Sequence, residues 1–187
     1  KEVLSSVARL FLYGKFELPD VSAAANNLGE ALGRGCAEDL VKVYNALLAS
    51  LPYDLYEREE QKYAGARRRE RERGIPAPYA ESFYHMILFT LIWASQANTT
   101  AENHSYWGRS DIEAEKNGYR YVVELKVADG KEAAESAAEE AMRQIREKGY
   151  ADKYAAAPQG VTTLIGMAVD RSARRVGGCR IERRGSA

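Results

Sequence analysis

With 187 residues, 45% of them apolar and 29% charged, the chain suits one compact domain with additions and is too hydrophobic for general disorder. Its 27 basic and 27 acidic residues cancel, which excludes a global attraction to nucleic acid or membranes and leaves any polyanion site local. Only two cysteines, Cys36 and Cys179, are present; they exclude a disulfide scaffold or a cysteine zinc site and fit a reducing, cytoplasmic compartment.

The chain opens with Lys rather than Met and lacks a signal-peptide pattern, so a fragment of something longer is expected. VARLFLY (7–13) and AEDLVKVYNALLASL (37–51) carry helical apolar spacing, separated by the loop-like FELPDV and LGRGC. They predict two or three helices in the first 53 residues. From Asp54 to Gly74 charge dominates, and ARRRERER (66–73) reads as a solvated helix face laced with ion pairs. GIPAP (74–78) then breaks any helix. The expected division is a helical connecting segment over 1–75 and a second unit over 76–187.

Residues 79–97 are apolar almost all round, which predicts a helix packed on most of its sides. Its run FYHMILFTLIWA (83–94) is shorter than the roughly 20 residues that span a bilayer, so no membrane segment is expected. Glu81 and His85 lie four apart, on one face. His85 reads as a satisfied core histidine and His104 as a surface residue, and two lone His make no zinc site. Strands are predicted over 99–107, 109–116 and 119–127, followed by an Ala-rich helix from Lys131 to Lys148 that Gly149 ends. VTTLIGMAVD (161–170) has the composition of a buried strand, and RVGGCRIER of a weaker last one. The order is that of a mixed α/β unit in which a helix crosses from the second hairpin strand to the next strand. RSARRVGGCRIERR (171–184) holds six Arg against one Glu and is a phosphate-facing candidate. The Gly-Lys pairs at 14–15 and 130–131 lack the spacing of a phosphate-binding loop.

The most informative stretch is GRSDIEAEKNGYRYVVELK (108–126). A two-residue Asn-Gly loop favours a type I′ turn and fixes the register, with Lys116 opposite Tyr119, Glu115 opposite Arg120 and Asp111 opposite Glu124. Alternation assigns Ile112, Ala114, Tyr121, Val123, Leu125 and Val127 to a core face. Asp111, Glu113, Glu115, Arg120, Val122, Glu124 and Lys126 take the other. Two carboxylates facing each other about 5 Å apart destabilise a sheet unless a cation sits between them. Mg²⁺ or Mn²⁺ suits such a pair, and Lys126 would there hold or deprotonate a water or neutralise a phosphate. The alternative is a solvated polar strand face with Asp111 at one end.

GRSD, VVELK, QIREKGYADKY (144–154) and LIGMAVD (164–170) together resemble the PD-(D/E)XK nuclease superfamily. The likeness is to the nuclease-like domain that follows an AAA-ATPase-like region in bacterial proteins, and it covers residues 79 to about 183. The resemblance implies a restriction-endonuclease-like core, a central mixed sheet flanked by helices, and metal-dependent hydrolysis of DNA, with RNA as another substrate class. Carried over by motif, Asp111, Glu124 and the Leu125 carbonyl would hold Mg²⁺ or Mn²⁺, and Lys126 would act on the water. Glu81 resembles the helical acidic residue that completes such a site; otherwise it is a carboxylate near a helix start. Gln144 and Tyr150 resemble a substrate-contacting Gln and Tyr pair. Gln144 borders the stripe Ala134, Ala138, Ala141 and Ile145, from where it reaches inward or stays solvated, and Tyr150 suits packing as well. Ser110 stands where the motif's Pro would be. The competing reading is a catalytically inactive nucleic-acid- or protein-binding module of a larger ATPase-like protein, with self-association left open.

Overall fold

The computed structural model describes residues 8, 11–14, 21–52, 54–55, 79–105, 108–154 and 161–185; the side chains of 79–80 and 102–109, that of His104 among them, lie outside the described set. So do the ARRRERER and GIPAP segments.

Helices α1 (Val21–Gly33) and α2 (Ala37–Ala49) precede α3 (Tyr79–Ala94) among the described residues. Then come β1 (Asn98–Ser105), β2 (Gly108–Lys116), β3 (Tyr119–Ala128), α4 (Lys131–Glu147), a 3₁₀ turn (Asp152–Tyr154), β4 (Thr162–Asp170) and β5 (Arg175–Arg184). The sheet runs β1-β2-β3-β4-β5, antiparallel except for β3 and β4, which α4 joins in parallel. It is an α/β fold with a central mixed sheet between helices, consistent with a restriction-endonuclease-like core.

The Asn-Gly turn forms as its residue types demand, both at positive φ (Asn117 51°, Gly118 83°). The β2–β3 ladder follows the expected register from Lys116–Tyr119 to Ile112–Val123. It stops one residue short of the expected Asp111–Glu124 pair, because β2 continues along β1 while β3 continues along β4.

Each sheet face packs on helices. Ile112, Ala114, Tyr121, Val123 and Leu125 join one buried cluster with Ile165 and Met167 of β4 and with Leu28, Leu40, Tyr44, Ile87 and Leu91 of α1, α2 and α3. Each such aliphatic side chain contributes roughly 1.5–3 kcal/mol by leaving water. Two tyrosines tie this layer by their hydroxyls, Tyr121 to the Leu32 carbonyl (2.6 Å) and Tyr44 to the Tyr84 carbonyl (2.8 Å).

α4 covers the opposite face with Ala134, Ala138, Ala141, Met142 and Ile145. Its approach is close: a Cβ on Gly166 of β4 would lie 2.8 Å from the Ala138 carbonyl, so a residue without one is required there. On the polar face of the hairpin Glu113 and Glu124 are buried, while Glu115 toward the turn is exposed, so a wholly solvated strand face is excluded. Asp170 locks the crossover, its Oδ1 accepting from the N–H groups of Gly130, Ser172 and Ala173.

Candidate functional site

The site forms where β2 and β3 part. Arg120 N–H runs to the Val161 carbonyl, so by alternation the N–H of Leu125 faces β2. With the ladder ended, the Asp111 side chain supplies the acceptor: its Oδ2 lies 2.9 Å from Leu125 N. Leu125 thus meets Asp111 through its N–H, and by the same alternation its carbonyl lies on the β2 edge of the strand as well.

Glu124 follows the strand alternation inward, beneath α4, and is 1% exposed. Its Oε1 accepts from Lys126 Nζ at 3.2 Å and from Gln144 Nε2, while its Oε2 has no hydrogen-bond partner. A buried, unpartnered carboxylate oxygen is costly. Burial, with the Asp111 charge added, pushes the Glu124 carboxyl up to about 7. Burial also works against the Lys126 charge, but Glu124, Glu81 and Asp111 outweigh it and hold the ammonium above its ordinary range. In this arrangement the Lys126 ammonium donates to Glu124.

α3 brings two residues from the other side. The Glu81 carboxyl, half-buried, is raised by burial and feels the charges of Lys126, Asp111 and His85. His85 Nε2 donates to the Asp111 carbonyl at 3.1 Å, so the histidine is satisfied, as the apolar helix implied, but by the backbone of the site. Gln144 turns inward, its Nε2 also lying 3.4 Å from the Tyr150 hydroxyl. Tyr150 is buried among Val122, Met142, Ile145, Ala151 and Leu164. Asp111, Glu124, Lys126, Glu81, Gln144 and Tyr150 are thus all gathered about one end of β3. Among the described residues, no group of three or more His, Cys, Asp or Glu side chains is disposed to hold a metal ion.

The arginines of 171–184 are turned toward carboxylates of their own chain: Arg171 to Asp129, Arg180 to Glu139, Arg183 to Glu38 and Arg184 to Glu182. That cluster does not present a free phosphate-facing surface at these four positions. Sequence reading also left Glu113 without a role, although alternation places it on the covered face. Three donors converge on it: Ser110, Lys153 and Tyr154.

Residues 79–177, which include the parallel β3-α4-β4 crossover, match the family model of the PD-(D/E)XK nuclease superfamily. The chain belongs to this superfamily. Outside the family model, this superfamily member is 27% identical over 168 residues to the "Uncharacterized protein in vnfD 5'region" of Azotobacter chroococcum mcd 1. The match takes in 88% of the chain and 28% of that relative, so the chain spans little more than a quarter of the relative's length. No solved structure matches. Among the described residues of this superfamily member, no helix is long and apolar enough to cross a membrane.

Proposed function

We propose that the domain acts on nucleic acid as a divalent-metal-dependent phosphodiesterase, with DNA as the first substrate to test and RNA as the second. The observation that carries this reading is the buried, unpartnered Oε2 of Glu124, on a carboxylate that also feels the charge of Asp111. Two hard carboxylate donors suit Mg²⁺ or Mn²⁺, which commonly take only one or two protein carboxylates and complete their shell with water and phosphate oxygens. Asp111 and Glu124 would hold the ion, with the charge of Glu81 felt nearby; bound there, it would polarise a phosphate and acidify a water.

The chain's own residues do the rest. Gln144 orients Glu124 by its bond to Oε1. Lys126, kept cationic by its three carboxylate neighbours, neutralises charge that develops on a phosphate. Leu125 N–H fixes the Asp111 carboxylate.

A second reading, a catalytically inactive nucleic-acid- or protein-binding module, is favoured by a separate observation. No three-ligand group is assembled among the described residues, and Lys126 already pairs with Glu124. On either reading the domain would serve a longer polypeptide, with the AAA-ATPase-like region that the resemblance implied as the proposed companion.

Incubation of single- and double-stranded DNA and RNA with Mg²⁺ or Mn²⁺ separates the two. Hydrolysis that falls about 100-fold or more in Lys126→Ala supports the first reading. Binding of any of these polymers without cleavage under every metal condition supports the second.

A further inference from the structure

Glu113 lies on β2 two residues from Asp111 and pairs with Val122, which makes it a diagonal neighbour of Glu124 on the same covered face. Packing there asks only for an apolar side chain, since the adjoining cluster is Val122, Met142, Ile145, Tyr150, Ala151 and Leu164. A carboxylate stands there instead, 5% exposed, with Ser110 Oγ and Lys153 Nζ each donating to its Oε1 at 2.8 Å and the Tyr154 hydroxyl donating to its Oε2. Two of these donors belong to the 3₁₀ turn, some forty residues along the chain.

That turn carries the other half of the connection. It is closed by Asp152 N–H on the Gly149 carbonyl and Tyr154 N–H on the Ala151 carbonyl, both 3.0 Å. The Tyr154 ring is flanked by the Arg120 guanidinium at 5.3 Å and Lys153 Nζ at 5.1 Å. Just before the turn, Tyr150 presents its hydroxyl to Gln144, which holds Glu124. A fully bonded buried polar network imposes a single geometry where apolar contact alone tolerates sliding.

We propose that Glu113 is a positioning residue of the candidate site: by anchoring Lys153 and Tyr154 it fixes the Tyr150–Tyr154 segment, and through Tyr150 and Gln144 it sets the placement of Glu124. It rests on the reading of Glu124 as a functional carboxylate, but its physical content concerns the apo protein and requires neither metal nor turnover.

The test follows the Gln144 side-chain amide by ¹⁵N-correlated NMR, together with hydrogen exchange of the Asp152 and Tyr154 N–H groups, in wild type, Glu113→Gln and Tyr154→Phe. Ile87→Ala, which opens a cavity in the opposite layer, controls for general loss of stability. In Glu113→Gln the Gln144 amide moves toward the free-glutamine position and the two N–H groups exchange about tenfold faster than in the control. Tyr154→Phe, which removes one donor and no charge, shifts both readouts in the same direction and carries the test if Glu113→Gln does not fold. An unmoved Gln144 amide in the folded variants, or an equal movement in Ile87→Ala, overturns the positioning role. Failure to cleave any substrate leaves these readouts intact, so the two proposals fail separately.

Discussion

Glu113 and Glu124 sit on adjacent strands of one hairpin, on the same face, both withdrawn from water, Glu124 beneath α4 and Glu113 against the 3₁₀ turn. Glu113 is met by a hydroxyl, an ammonium and a phenol from three positions. Glu124 has two donors on one oxygen, none on the other, and feels the charge of a second carboxylate, Asp111. The first arrangement resolves the desolvation of a buried charge inside the chain. The second leaves part of it unresolved, which is the physical condition for recruiting a cation from outside.

The contrast is sharpest in stability. Glu113→Ala leaves Lys153 and the Tyr154 hydroxyl without their shared acceptor and is expected to cost about 3–4 kcal/mol in urea unfolding at neutral pH. A loss below about 1 kcal/mol would equate Glu113 with an ordinary surface carboxylate and remove the contrast.

Glu124 reports with the opposite sign. Its carboxyl is raised to about 7 from an ordinary 4.5, so above pH 4.5 the unfolded chain releases this proton while the folded chain keeps it. Its contribution to stability therefore falls as pH rises from 4.5 to 7, by on the order of 3 kcal/mol at the full shift, and is level above that. Glu124→Gln removes this slope, so the difference in unfolding free energy between wild type and variant widens in the variant's favour from pH 5 to pH 8. Parallel pH profiles for the two proteins would contradict the assignment.

How much of this was legible follows from the range of each interaction. Asn117 and Gly118 encode the turn locally, so the register, the Glu115–Arg120 pair and the two faces were readable before any coordinates. The alanine stripe of α4 was readable for the same reason. α1 was not singled out, because Asn26, Asn27 and Gly29 dilute its apolar spacing between two loop-like segments. The end of the ladder escaped because it depends on which strand each arm pairs with next. Glu113 escaped because Lys153 and Tyr154 are 40 and 41 residues away, and the arginines of β5 because Arg183 meets Glu38 across 145 residues. Hydrophobic period places a side chain on a face; it does not name its polar partner.

The smallest expected effect sharpens the link between the two regions. Tyr150→Phe deletes a hydroxyl whose contact with Gln144 is 3.4 Å long, while the ring's packing persists. Thermal unfolding should register about 1 kcal/mol or less. A loss above about 2 kcal/mol would show that the tyrosine hydroxyl, rather than Glu113, organises this end of the site.

The comparison finally reduces to whether the unpartnered oxygen of Glu124 takes a cation. Calorimetric titration of Mn²⁺ into the metal-free protein at pH 8 answers this directly, in wild type, Glu124→Gln and Glu113→Gln. Saturable binding in wild type, abolished by Glu124→Gln and retained though weakened in Glu113→Gln, is the predicted result. Absence of binding to wild type at millimolar Mn²⁺, or equal binding to Glu124→Gln, would contradict it.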